Sequence, residues 1–278
     1  LHPAPTTPRR GEALSKPPED GAAPRHPSVS IWLTEPSAAA VEMGSLAGYD
    51  TVVLDIEHGL FDLHALDWII PLIRAKGMRV IAKVLGPERG PIQQALDFGA
   101  DAVAIPHITS AAHAAQICGY AKFPPLGDRS FAGGRTSDFR GFTDDWVRAQ
   151  DRKTQCYPMI EDASALDEIE AILDLPVVDG IFIGPSDLSL RRDRGAYTVT
   201  EADLADIRHL ARAATAAGKP WLLPAWSEVE QRLAIEEGAH TIVATMQYGA
   251  MLAGFTATMQ NLQKISLENI TAGETGNR

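Results

Sequence analysis

Eight short apolar or β-branched runs, each followed by a stretch with helical periodicity, constrain this chain more than any other feature. The runs are Val29–Leu33, Thr51–Leu54, Arg79–Val84, Ala102–Ile105, Gln155–Ile160, Val178–Ile183, Trp221–Leu223 and Thr241–Ala244. Their length and near-continuous apolar character predict strands buried on both faces, as in a parallel sheet. Helix-compatible segments separate them at 36–47, 62–76, 90–98, 110–120, 162–173, 201–217 and 227–237, with a last one near 247–265. Within 62–76, Leu63, Leu66, Ile69, Ile70 and Ile73 share one helical face, and Leu204, Ile207, Leu210 and Ala211 do the same in 201–217. Asp62, Ser110 and Ser227 are residue types suited to N-caps, and Ser227 with Glu230 has the spacing of a capping box. Gly77, Gly99, Gly218 and Gly238 fall where helix C-caps belong.

This alternation predicts an α/β fold, a (β/α)8 barrel in which every strand-to-helix loop gathers at one end. An open doubly wound sheet is the structural alternative, but no Gly-x-Gly-x-x-Gly follows the first strand. The barrel is expected over residues 28–265. Residues 1–27 hold seven prolines, which lack the amide donor and fix φ, so they read as an extended arm; 266–278 reads as a C-terminal tail. Two connections, 121–153 and 184–200, exceed what a simple βα unit needs, and in a barrel such loops cover the active end.

Composition narrows the function classes. With 45 % apolar and 22 % charged residues the chain has a globular balance, and its net charge of −11 without a basic patch argues against nucleic acid. Its apolar runs fall far short of the about 20 residues of a membrane span. Two cysteines, Cys118 and Cys156, make no disulfide framework, so a reduced, cytoplasmic compartment is expected. The partner that remains is a small molecule.

The polar residues at the C-terminal ends of the strands carry the candidate chemistry. Glu161 and Asp187 follow strands five and six, so adjacent strands present them at one mouth. Paired carboxylates repel unless a proton or cation lies between them, and an all-oxygen site suits a hard divalent ion, Mg2+ or Mn2+. The turn Gly184-Pro185-Ser186 offers backbone amides to a carboxylate or phosphate. His58, beside Asp55 and Glu57, is a candidate proton-transfer group. His107 directly follows strand four. Lys83 ends an apolar strand and could hold a developing enolate oxygen or form an imine. Lys122, Arg129, Arg135 and Arg140 lie in the 122–142 loop, where one arginine could grip a substrate carboxylate. Each also has a plain reading: Glu161 as a residue near an N-cap, Asp187 and His58 as loop residues, Lys83 as a structural lysine whose stem lies along apolar surface.

The stretch Val178-Asp179-Gly180-Ile181-Phe182-Ile183-Gly184-Pro185-Ser186-Asp187-Leu188-Ser189 resembles the strand-six signature of the HpcH/HpaI aldolase family. Leu54-Asp55-Ile56-Glu57-His58-Gly59, Leu96-Asp97-Phe98-Gly99-Ala100 and Pro124-Pro125-Leu126-Gly127-Asp128-Arg129 support the resemblance, which spans about residues 28–255. It implies metal-dependent pyruvate aldolases on a (β/α)8 barrel, with Glu161 and Asp187 as metal ligands. It further implies His58 as acid/base, polarised by Asp97 with Asp55 nearby, and the backbone at Gly184, Pro185 and Ser186 as the seat of the pyruvate carboxylate. Hexamers, trimers of dimers exchanging a C-terminal helix, are the implied assembly, with 247–265 as that helix. Lys83 stands where the family usually has an arginine, and Met159 where it usually has a glutamine near the metal; both bear on substrate binding. The expected reaction is reversible cleavage of a 4-hydroxy-2-oxo acid into pyruvate and an aldehyde. Alternatives are a citrate-lyase β-like lyase acting on an acyl-CoA or dicarboxylic acid, and a non-catalytic barrel that binds a keto acid.

Overall fold

The computed structural model describes residues 26–275, so the arm expected over 1–27 lies, but for its last two residues, outside the described residues. Eight parallel strands close into a barrel in sequence order: β1 (Ser28–Leu33), β2 (Thr51–Asp55), β3 (Arg79–Lys83), β4 (Ala102–Ile105), β5 (Gln155–Ile160), β6 (Ile181–Ile183), β7 (Trp221–Pro224) and β8 (Thr241–Met246). β8 pairs with β1 through a register shift at Ser30/Ile31, which completes the closure.

Alternation along each strand divides the core in two. Val52, Leu54, Val80, Ala82, Val103, Ile105, Ile181 and Ile183 face outward and pack under the helices. Val53, Ile81, Ala102, Ala104, Tyr157, Met159, Phe182, Leu222 and Val243 fill the barrel, with Trp32 among them. Each fully buried aliphatic side chain stabilises the fold by about 1.5–3 kcal/mol, so both layers favour this one register. A slip by one residue would exchange inner and outer sets.

The helix ends form as their residue types require. Asp62, Ser110 and Ser227 accept N–H bonds from Ala65, His113 and Glu230, and the capping box of Ser227 with Glu230 is closed in both directions. Several elements differ from the sequence reading. β6 is only three residues long, and just before it the chain passes so close to Pro220 that a Cβ on Gly180 would meet the Pro220 carbonyl oxygen at 2.2 Å. The long connections contain helices of their own, Asp144–Lys153 and Pro185–Arg191. The last helix runs from Gln247 to Thr275, past the expected tail boundary at 266, with no proline to stop it. No helix among the described residues is long and apolar enough to cross a membrane.

Candidate active site

The inward parity of the strands selects the site. Two residues beyond Val53 and Ile81 on their strands stand Asp55 and Lys83, which are also register partners across β2 and β3. By the same step Glu161 follows Met159 and Gly184 follows Phe182, so acid, lysine and glycine converge at the C-terminal mouth. Asp55 is buried, and its two oxygens accept from Trp32 Nε1 at 3.1 Å, Lys83 Nζ at 3.1 Å and the His58 backbone N–H at 3.2 Å. Gly59 completes this corner, since a Cβ there would meet the backbone oxygens of Asp55 and Thr34 at 2.2 and 2.5 Å.

Glu57 is the residue that sequence reasoning missed; it had appeared only as part of an acidic stretch. Its carboxylate binds Lys83 Nζ, accepts from His107 Nε2 at 2.6 Å and lies 3.4 Å from His58 Nε2. Burial opposes its charge, but the hydrogen bond and charge of Lys83, with His58 and His107 nearby, hold its pKa below the ordinary glutamate value. Lys83 is therefore clamped between two carboxylates rather than extended freely into the mouth. His58 is well exposed, with 65 % of its side chain accessible.

Glu161 is buried and accepts the His107 backbone N–H at 2.8 Å. Burial raises its pKa, the His107 amide opposes the rise, and the nearby negative charge of Asp187 adds to it. Asp187 thus lies within electrostatic reach, in the first turn of helix Pro185–Arg191 and exposed to solvent. Gly184 gives Glu161 its space: a Cβ at 184 would fall 2.8 Å from Glu161 Cβ, 2.9 Å from its Oε2 and 3.6 Å from Met159 Cε. Met159, buried inside the barrel, presents a thioether on this side of the site where an amide would have offered a donor.

Among the described residues no group of three or more histidine, cysteine, aspartate or glutamate side chains forms a ready-made metal cage. A hard divalent ion does not need one, because it commonly takes one or two carboxylates and completes its shell from water and substrate. The buried carboxylate of Glu161, which feels the negative charge of Asp187, is of the donor type that such an ion takes.

Asp97 and Arg129 stand apart from His58. Asp97 Oδ1 accepts from Arg129 Nη2 at 2.8 Å, and the buried guanidinium lies over the Phe123 ring at 4.7 Å. Burial raises the Asp97 pKa against the opposing effect of Arg129. No hydrogen bond or ion pair joins Asp97 to His58 within the chain, and Arg129 pairs with Asp97 through Nη2 while its Nε and Nη1 are buried without a hydrogen-bond partner. The Asp97 expectation came from the resemblance and the Arg129 one from its place in the 122–142 loop; Asp97 closes helix Arg89–Asp97, outside the barrel wall.

A barrel with these strand ends matches the family model of HpcH/HpaI aldolase/citrate lyase over residues 29–249. The chain belongs to that family. A 2-keto-3-deoxy-L-rhamnonate aldolase of Salmonella typhi is 29 % identical over 177 residues, 63 % of this chain and 66 % of that protein. A 2-dehydro-3,6-dideoxy-6-sulfogluconate aldolase of Pseudomonas putida is 32 % identical over 161 residues, 58 % of this chain and 63 % of that protein. The chain thus spans just under two thirds of the length of these relatives. The crystal structure of an HpcH/HpaI aldolase/citrate lyase family protein from Burkholderia cenocepacia J2315 superposes with a TM-score of 0.77 at 27 % identity, covering 87 % of this chain and 95 % of that one.

Proposed function

We propose that the protein is a divalent-metal-dependent aldolase that reversibly cleaves a 4-hydroxy-2-oxo acid into pyruvate and an aldehyde. The observation that carries this reading is the buried Glu161 carboxylate, raised in pKa by burial and by Asp187, at the mouth where Lys83, Glu57 and Gly184 converge. The two relatives named as aldolases of deoxy sugar acids with a keto or dehydro carbon at position 2 favour a 2-oxo acid. A divalent ion at Glu161 and Asp187, Mg2+ or Mn2+, would supply Lewis-acid stabilisation of negative charge on the keto oxygen.

Lys83 holds three N–H donors, two of which face Asp55 and Glu57, leaving one for the keto oxygen as it gains charge. The carboxylates of Asp55 and Glu57 hold the nitrogen in place as a hydrogen-bond donor, which favours this electrostatic role over attack on the keto carbon to form an imine. The substrate carboxylate is assigned to the amides of Ser186 and Asp187. They precede the first bond of their helix, Leu188 N–H to Gly184 O at 3.1 Å, whereas the Gly184 amide is already committed to Ile160 O at 3.0 Å. Gly184 and Pro185 act by shape. During cleavage His58 takes the 4-hydroxyl proton while the carbon–carbon bonding electrons pass to the pyruvate enolate, whose methylene carbon then receives that proton to give pyruvate; in the reverse direction the proton comes off the pyruvate methyl and goes to the new alkoxide.

Assembly is the second part of the proposal. The helix Gln247–Thr275 exposes Tyr248, Leu252, Phe255, Met259 and Leu262, a 4-3 apolar spacing on one face. This supports a homo-oligomer in which the helix packs on a neighbouring subunit, a hexamer of three dimers. Asp97 is assigned to such an interface rather than to the His58 of its own chain.

The decisive experiment follows pyruvate release from a 4-hydroxy-2-oxo acid before and after chelation. Activity should fall at least a hundredfold with EDTA, return with added Mg2+ or Mn2+, and be lost in Glu161→Gln. Full activity in the chelated protein would falsify the reading.

A further inference from the structure

Trp226 stands just beyond β7, where the chain still runs along the barrel wall: the Ala225 N–H bonds Val243 O at 3.0 Å. Leu222 fills the barrel, and the same inward parity passes through Pro224 to Trp226 at the mouth. There the indole meets Trp32 of β1 edge to face, with ring centroids 6.2 Å apart and planes at 80°, while 41 % of the residue stays exposed. Trp32 is fixed from two further sides, by Phe182 at 6.0 Å and by the bond from its Nε1 to Asp55. Its ring also lies 5.8 Å from Lys83 Nζ. The two indoles thus form a wall that begins beside the lysine and ends in solvent.

We propose that Trp226, backed by Trp32, seats the aldehyde half of the substrate, and that this half is a neutral aromatic group rather than a polyol or a second acid. The inference rests on the reading of this mouth as an aldolase site. In that reading the keto acid engages Lys83, Glu161 and the turn at Gly184, at the ends of β3, β5 and β6. The rest of the substrate is left the side formed by β7, β8 and β1. The chain leaving those three strands, 224–227, 246–248 and 34–37, contains no lysine, arginine or histidine. Its single charged residue is Glu35, whose Oε1 accepts from Gln247 Nε2 at 3.0 Å. A second carboxylate, a sulfonate or a phosphate would meet that like charge with no cation of this chain to pair it. Leu60, 72 % exposed, is tied to the same corner by its N–H to Thr34 O at 2.8 Å. An aromatic ring laid on this wall gains apolar contact and the edge or offset geometry that ring pairs prefer. Hydroxyls in its place would give up water without a partner.

The test compares pyruvate release by the full-length protein, supplied with Mg2+ or Mn2+, from three 4-hydroxy-2-oxo acids that yield benzaldehyde, glyceraldehyde and succinic semialdehyde. Wild type should show a kcat/KM about tenfold or more higher for the first than for either of the others. In Trp226→Leu that ratio should fall about tenfold, chiefly through KM, whereas Trp226→Phe, which keeps a ring, should retain most of it. Trp226→Gln should lose the ratio as Trp226→Leu does, and it keeps the residue testable should Trp226→Leu not fold. The wild-type ranking needs no variant. A wild-type preference for the glyceraldehyde or semialdehyde precursor, an equal loss on all three acids in the variants, or an unchanged ratio overturns the inference. If the acids are cleaved without preference, only this inference fails; if none of them releases pyruvate, the aldolase reading fails with it.

Discussion

Lys83 is 4 % exposed and faces two carboxylates, so its charge is structural as well as chemical. Removing one partner of a buried ion pair leaves the others charged and unpaired, at a cost of about 3–5 kcal/mol. Lys83→Met should therefore lower the unfolding free energy measured by urea titration by that much, and Lys83→Arg by clearly less. Unchanged stability in Lys83→Met would mean that Asp55 and Glu57 are not held as carboxylates. Gly184 tests the opposite kind of change. Its φ of −107° suits any residue, so the effect of Gly184→Ala comes from the Cβ pressing on Glu161, not from the backbone. Overpacking of this kind costs about 1–3 kcal/mol. Pyruvate release should fall at least tenfold while the circular dichroism of the fold persists; wild-type turnover would show that Glu161 moves aside without consequence. Neither residue's partners were legible from the sequence. The lysine and the glycine were, but Glu57 looked like one acid among several until the turn after β2 brought it to Lys83 and His107.

At the level of elements, the caps and strands follow local rules and the connections do not. Helix Glu201–Ala216 begins with a capping box of Thr200 and Asp203, buried and joined to Arg194. Burial opposes the Asp203 charge, but the Thr200 hydroxyl and amide and the Arg194 guanidinium hold its pKa below the usual 3.8. A carboxylate depressed in the folded state adds stability above its unfolded pKa, and that contribution is lost as pH falls through the folded value. Asp203→Asn should cost about 1 kcal/mol at pH 7, a gap that narrows below pH 3.8; a gap constant with pH would rule out the ionic origin. The helix Asp144–Lys153 carries a Thr143 cap, acids in its first turn and bases in its last. Those signals were present in the sequence, but helix 144–153 has few apolar residues to mark a buried face, so periodicity did not reveal it.

For the molecule as a whole, closure of the sheet and the last helix pose different questions. Closure is internal and is satisfied by β8 on β1. The helix Gln247–Thr275 leaves Phe255 and Leu262 more than half exposed, a burden that the proposed association would relieve. Phe255→Glu with Leu262→Glu should convert an oligomer to smaller species in light scattering coupled to gel filtration, with the barrel's circular dichroism retained. A wild-type protein that is monomeric at micromolar concentration would remove this role for the helix.

By itself the sequence determined the barrel and pointed to Glu161 and Asp187 at the ends of its strands, but it did not single out Glu57. Strand length, two-sided apolarity and helix caps are local properties, and eight repeats of one unit leave few ways to close. What the tertiary structure decided is which of those polar groups meet. His107 reaches Glu57 and Glu161 across β4, β2 and β5, and Asp97 turns to Arg129 instead of His58. Contacts between residues so far apart in the chain depend on barrel curvature, loop path and burial together, none of which any one segment encodes.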